Sequence, residues 1–315
     1  MKNTIICCGN IAFDLIASPL KKGDEGLSFE ARPGGAVFNT AILLSRLGLP
    51  VSILAKNGQD FLGDALLGIM QNEKISTDHL IPEKRIKTGL ALANIDKHGD
   101  SSYLFYRETG PHAAFKQEDL SPSLFRDTKI FHTGSAFSYA DYTFESSLKL
   151  MIRAKRKGIF TSYDPNWRPS RIPNKKKARS RVKKLMAHAD LLKMSENDVL
   201  GITDKKTLGK ALDYLPPQTV ITMGSKGSFV WDGKRKITQP AFKTSVVDTI
   251  GAGDAFTAGL ISRYCSSGKK ENWKIGKDDL AFASAASALV CTGKGATQGL
   301  KNTGEIKNLL KRTLR

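Results

Sequence analysis

Asn39-Thr-Ala-Ile-Leu-Leu-Ser-Arg-Leu47, followed by Gly48, Pro50 and Val51-Ser-Ile-Leu-Ala55, is the stretch on which the fold class turns. The first run reads as an amphipathic helix, Gly48 as its C-cap glycine, Pro50 as a breaker, and the apolar run from Val51 as a strand. With the strand-like Ile5-Ile6 before it, this is the βαβ rhythm of a mainly parallel sheet. The same alternation continues along the chain. Strands are expected at 129–133, 158–163, 190–194, 219–223 and 228–231, and helices at 142–157, 175–188, 254–266 and 278–292.

Two regions break the rhythm. Residues 14–33 have few apolar positions for a helix, and in 88–107 the runs Leu90-Ala-Leu-Ala-Asn94 and Ser101-Ser-Tyr-Leu-Phe-Tyr106 flank the turn Lys97-His-Gly-Asp100. Such a pattern predicts a hairpin. The expectation is one α/β domain over 1–315, with a central mainly parallel sheet flanked by helices and a small β-sheet lid formed by about 14–33 and 88–110.

Composition bounds the possibilities. Of 315 residues, 40% are hydrophobic and 25% charged, the balance of a soluble globular protein. No apolar run approaches the roughly 18 to 20 residues of a spanning helix. The opening Met1 to Gly9 is too short for a signal peptide and reads as a first strand, so a cytoplasmic protein is expected, with no membrane partner. Cys7, Cys8, Cys265 and Cys291 form no CxxC pair, and the five histidines form no HExxH-like cluster; reduced thiols and no zinc site are expected. The formal charge of +19 attracts anions such as nucleotides. Its densest patch, Arg168 to Lys184 with Lys175-Lys-Lys177, lacks interleaved aromatics beyond Trp167 and so offers bases no stacking platform. A solvated basic helix is expected there, and no nucleic-acid partner.

The sharpest chemical signal is Val246-Val-Asp248-Thr-Ile-Gly251-Ala-Gly253-Asp254-Ala-Phe256, a strand-like run that breaks at glycines and gives way to a helix. The glycines let backbone N–H groups converge at a helix N-terminus, where orphan donors and the macrodipole favour a phosphate or developing negative charge. A carboxylate beside such an anion hole suits a group that takes a proton from an attacking hydroxyl during phosphoryl transfer. An N-cap and a plain turn would leave a similar trace. A Rossmann fingerprint would need a glycine where Phe256 stands, and no G-x-x-x-x-G-K-[ST] occurs.

The run 248–254 resembles the D-T-x-G-A-G-D signature of the ribokinase/PfkB family of carbohydrate kinases. Pro33-Gly34-Gly35-Ala-Val-Phe-Asn39 with Arg46-Leu-Gly48, and Gly58-Gln-Asp60-Phe-Leu-Gly63, resemble further family elements in family order, over nearly the whole chain. The resemblance implies a ribokinase-like fold, with Asp254 as general base and Gly251, Ala252 and Gly253 as the anion hole. It implies sugar contacts from Asp14, Gly34, Gly35 and Asn39. A carboxylate and an amide suit a polyol, and glycines clear the pocket wall.

On the nucleotide side, Thr222-Met-Gly224-Ser-Lys-Gly227 resembles the family's ATP-binding turn, though a plain β-turn would read the same. Lys193 is a further candidate for the nucleotide. Ala281 to Val290 is a small-residue helix leading into Gly293-Lys-Gly295, where Ser284 and Ala288 are candidates beside the adenine, although close helix packing selects small residues too. Asp198 stands where the family's magnesium-associated Glu is expected, and would act through water. Asp248, Val290, Gly293 and Gly295 resemble the monovalent-cation loop. The implied cofactors are ATP and Mg2+, with K+ as an additional candidate.

Tyr163-Asp-Pro-Asn166-Trp-Arg168-Pro169 is similar to the DPNxR element of fructokinases and 2-keto-3-deoxygluconate kinases, and Phe105-Tyr-Arg107 matches both. Arg107 and Arg168 would bind a carboxylate in one case and orient hydroxyls and phosphate in the other. Fructose is the expected substrate, with 2-keto-3-deoxygluconate as the alternative and a non-catalytic sugar- or nucleic-acid-binding relative as a third reading. A homodimer through the lid is a further expectation.

Overall fold

The computed structural model describes residues 4–18, 25–95, 101–106, 110–268 and 273–313. Its strands are β1 (Thr4–Cys8), β2 (Ala12–Ala17), β3 (Phe29–Gly34), β4 (Val51–Gly58), β5 (Leu80–Glu83), β6 (Gly89–Ile95), β7 (Ser101–Tyr106), β8 (Thr128–Gly134), β9 (Phe160–Asp164), β10 (Leu191–Ser195), β11 (Thr219–Thr222), β12 (Ser228–Trp231) and β13 (Lys236–Gln239). The helices are α1 (Ala36–Arg46), α2 (Phe61–Asn72), α3 (Phe144–Arg156), α4 (Lys175–Met186), α5 (Glu196–Thr203), α6 (Leu208–Leu212), α7 (Ala252–Ser266), α8 (Lys277–Val290) and α9 (Thr303–Thr313).

Nine strands form the large sheet in the order β13-β12-β11-β10-β9-β8-β1-β4-β5. It is parallel from β11 through to β5, and antiparallel only where β12 and β13 extend the edge. Strand periodicity of two sends alternate side chains to opposite faces. On β1, Ile5 and Cys7 join the core with Phe38, Phe256 and Leu280, beneath α1, α7 and α8. Ile6 and Cys8 face the other way, into Phe131, Met151 and Leu185, beneath α3 and α4. Apolar strands covered on both faces are what a buried parallel sheet requires. Among the described residues, no helix is long and apolar enough to cross a membrane.

The second sheet has four strands in the order β3-β2-β6-β7, with β2 antiparallel to β3 and parallel to β6, and β6 antiparallel to β7. The turn expected at Lys97 to Asp100 lies outside the described residues. Ile16 and Ala93 on this sheet pack with Ile250 and Ala296, so it sits against the loops of the 246–256 motif. The root of β6 is tied to α2: Asp60 caps that helix by accepting from Gly63 N at 2.9 Å, and also accepts Thr88 N at 2.9 Å and Thr88 Oγ1 at 2.7 Å. Register places Leu15, Leu92 and Leu104 side by side on the face away from the motif, where Leu104, Phe29 and Tyr106 are exposed.

Candidate active site

The 246–256 motif folds as its composition dictates. Gly251 is the N-cap of α7 with φ +79, and a Cβ there would collide with the carbonyl of Ala296; only glycine fits. Helix α7 begins at Ala252, two residues earlier than the sequence suggested, so Asp254 lies in its first turn. First-turn amides have no partner within their own helix. Here Ala252 N makes a 3.3 Å bond to Thr249 O.

Folding brings Asn39, in the first turns of α1, to Asp254, 215 residues away: Asn39 Nδ2 donates to Asp254 Oδ2 at 2.8 Å. Asn39 is buried, and its Oδ1 finds no hydrogen-bond partner among the described residues. An unsatisfied buried acceptor costs about 1–3 kcal/mol unless something donates to it. Burial pushes the Asp254 carboxyl up to about 7; the Asn39 bond lowers it, the Asp164 charge raises it, and Lys193 and Arg168 lower it. Asp14 is likewise pushed up to about 7, by burial first and then by the charges of Asp254 and Asp248, against the pull of Arg168. Its carboxylate lies over Gly34, where any Cβ would overlap it. Gly35 has φ +97 and abuts the carbonyl of Asn10. Asp14, Gly35, Asn10, Leu90 and Ser135 line one narrow pocket.

A second group meets the first from below, at the carboxyl ends of the parallel strands, where open α/β sheets bind their ligands. Asp164 ends β9, and the register that sets Leu192 beside Tyr163 sets Lys193 beside Asp164. Lys193 Nζ donates to Asp164 Oδ2 at 2.8 Å, with both side chains buried. Thr257 Oγ1 donates to the same oxygen at 3.0 Å. A Cβ on Gly253 would stand 3.0 Å from Lys193 Nζ, so the ammonium lies against the Gly253 backbone. Burial works against the Lys193 charge, but Asp164 and then Asp198 outweigh it, and its pKa is raised. Arg168 is exposed, on the turn after β9, with its backbone N on Tyr139 Oη at 3.3 Å. Arg107 lies outside the described residues.

Asp198 is engaged in the backbone. It forms a capping box with Ser195, accepting Ser195 N at 2.8 Å, while its other oxygen accepts Trp167 N at 2.8 Å. A lone pair remains on each oxygen, which leaves room for a water-mediated role only. Asp248 bridges two loops, accepting Ile250 N and Gly295 N, each at 2.8 Å. Val290 O accepts Gly293 N at 3.1 Å. This carboxylate and these carbonyls are the oxygen donors that suit a hard cation. No group of three or more His, Cys, Asp or Glu side chains among the described residues could hold a metal ion.

The nucleotide-side residues are more dispersed. Thr222 ends β11, and Gly224 (φ +57) and Gly227 (φ +91) shape the tight turn into β12. A Cβ on Gly227 would strike the β13 backbone. Ser284 and Ala288 are buried one turn apart on α8. Close packing accounts for part of that helix's small-residue composition: a Cβ on Gly259 of α7 would come within 2.7 Å of Ala283 Cα. Thr257, Asn10 and Ser135 escaped sequence reasoning. Ser135 carried no signal in the chain, yet it adopts φ +56 just past the end of β8, where its N donates to Asp164 O at 2.9 Å on the neighbouring strand.

Known carbohydrate kinases resemble this chain along nearly its whole length. The profile of the pfkB family carbohydrate kinases matches residues 2–303. The chain is 29% identical over 320 residues to probable fructokinase-3 of Arabidopsis thaliana, covering 98% of this chain and 92% of that one. It is 30% identical over 293 residues to fructokinase-2 of Solanum lycopersicum, covering 91% and 89%. The crystal structure of a fructokinase with bound ATP from Xylella fastidiosa superposes with a TM-score of 0.88 at 27% identity, over 100% of both chains. A buried carboxylate at a glycine-capped helix N-terminus, together with a family match over nearly the whole sequence, places this chain in the pfkB family of carbohydrate kinases.

Proposed function

We propose that the protein is an ATP-dependent fructokinase. The observation that carries this reading is the contact of Asn39 with Asp254, which joins a polyol-binding amide with an unsatisfied oxygen to a buried carboxylate at a helix N-terminus. The sugar lies between Asp14 and Asn39, which take its hydroxyl donors, with Gly34 and Gly35 forming the wall. Asp254 accepts the proton of the attacking hydroxyl. Its neighbours Gly251, Ala252 and Gly253 present amides to the charge that grows on the transferring phosphoryl group, Ala252 N by turning from its long 3.3 Å bond to Thr249 O, and Lys193 adds a cation beside them. The fructokinase names of the relatives support fructose, as does the Asp164-Pro-Asn-Trp-Arg168 turn, whose arginine reaches both carboxylates electrostatically.

Thr222, Gly224, Gly227, Ser284 and Ala288 serve the nucleotide. Asp198 would hold magnesium through water, and the ion would supply charge neutralisation at the ATP phosphates. The oxygens around Asp248, Val290, Gly293 and Gly295 would hold a potassium ion. The small sheet of about 14–33 and 88–110 acts as a lid within one domain of 1–315, and its exposed Phe29, Leu104 and Tyr106 mark the face through which two copies pair. A coupled ADP assay over a panel of sugars tests the substrate. Fructose should give the highest kcat/KM, and turnover confined to 2-keto-3-deoxygluconate would overturn it.

A further inference from the structure

Asp164 is joined to more of the site than any role in sugar contact would need. It is 5% exposed, and it is the shared acceptor of three donors from three separate segments. Lys193 Nζ on β10 and Thr257 Oγ1 on α7 meet its Oδ2 at 2.8 and 3.0 Å, and Asn166 N on the turn carrying Arg168 meets its Oδ1 at 3.2 Å. Thr257 Oγ1 also reaches back to Gly253 O at 3.2 Å. Asn166 itself has φ +43, an uncommon conformation that the bond to Asp164 helps hold. The neighbouring strand is equally tight, since Gly134 of β8 pairs with Asp164 and a Cβ there would collide with the Asp164 carbonyl.

We propose that Asp164 is a positioning residue for phosphoryl transfer: its carboxylate holds the Lys193 ammonium against the Gly253 backbone and, through Thr257, fixes the first turns of α7 that carry Asp254. The inference rests on the kinase reading above. A lysine with four rotatable bonds, buried without a partner, would shed its proton or swing away. Paired at 2.8 Å, it keeps both its charge and one position at the anion hole. The pair carries no net charge in the resting site, so holding the ammonium there costs less than burying it alone. Groups facing Asp254 are Asn39 from α1, Asp14 from β2, Asp164 from β9, Arg168 from the turn after β9 and Lys193 from β10.

The test separates charge from shape. Asp164→Asn removes the charge but keeps one acceptor oxygen, which can still serve Lys193 and Thr257, while the contact with Asn166 N is lost. It should lower kcat roughly 10- to 100-fold, the range for residues that orient a reacting group, with the KM for sugar nearly unchanged. The acid limb of the pH profile should move to lower pH, because a negative charge that disfavours ionised Asp254 has gone. In a Lys193→Met background the same change should cost almost nothing, since its main effect runs through the lysine. Full kcat with an unmoved limb in Asp164→Asn, or equal fold losses in both backgrounds, would overturn the proposal. Should Asp164→Asn fail to fold, Lys193→Met against the double variant decides: equal kcat supports positioning, and a further tenfold loss in the double sinks it. Absence of turnover by the wild type with every sugar would defeat the kinase reading instead. ATP binding measured by calorimetry then decides on Asp164 alone: affinity lost in Asp164→Asn supports it, and unchanged affinity overturns it.

Discussion

Helix α4 and strand β10 both carry lysine, under opposite conditions. On α4, Lys175, Lys176, Lys177, Lys183 and Lys184 stand in water, and the pairs Lys177–Asp141 and Arg181–Asp141 share one half-exposed carboxylate. Exposed pairs of this kind are worth about 0–1 kcal/mol, and salt screens them. On β10, Lys193 is 4% exposed, against a carboxylate that is 5% exposed, beside the backbone of the anion hole. The formal charge of +19 is largely a property of surfaces such as α4. The chemistry depends on a few charges taken out of water, where low polarisability makes each interaction stronger and each loss costlier.

The contrast can be broken most severely at Asp254. Asp254→Asn should lower kcat by roughly 10²- to 10⁴-fold while ATP and sugar affinities move only a few-fold, measured by steady-state kinetics on folded protein. Asn preserves the shape and can still accept from Asn39 through its amide oxygen, but it takes no proton. Near-wild-type turnover would leave Asp254 without a role as base. Gly251→Ala comes next. Its φ of +79 and the collision with Ala296 should cost about 1–3 kcal/mol in denaturant unfolding and distort the amides beside the phosphoryl group. An unchanged midpoint would mean that the loop relaxes freely. The smallest effect belongs to α4: replacing Lys175, Lys176 and Lys177 together by Gln should leave kcat within about twofold at physiological salt, as distant exposed charges are screened. Submicromolar DNA binding by the wild type, lost in that variant, would give the basic helix a role denied to it here.

These same regions show what a reader of the chain could and could not see. Local pattern located β1, β4 and β8 to β12 of the large sheet, and α1, α3, α4, α7 and α8 around it, to within a few residues, because apolar periodicity and glycine breaks are local signals. Strands β5 and β13 and helices α2, α6 and α9 were not marked. Helix α1 nonetheless starts at Ala36, since Gly35 with φ +97 permits the turn before Asn39. The short α5 and the strands β2 and β3 left only faint periodic traces. Asp254, Asn39, Asp14 and the glycines were legible through motif chemistry. The Asp164–Lys193–Thr257 linkage was not, because it arises from strand register and helix docking between residues 29 and 93 positions apart. Asp198 shows the reverse problem: Ser195-Glu-Asn-Asp198 also spells a capping box, and the cap is formed.

The central claim is that a buried carboxylate, lifted out of the ordinary acid range, takes the proton from the sugar. The pH dependence of kcat/KM in the wild type and in Asp254→Asn tests it most directly. A base works only when ionised, and burial has pushed Asp254 up to about 7, so wild-type kcat/KM should climb with pH through an acid limb near that value and then level. In Asp254→Asn the residual activity should lose that limb, whereas Asp14→Asn, which removes the other carboxyl lifted to about 7, should keep it. A limb that persists unchanged in the variant, or a wild-type profile already flat from pH 5, would contradict the assignment of Asp254 as the base.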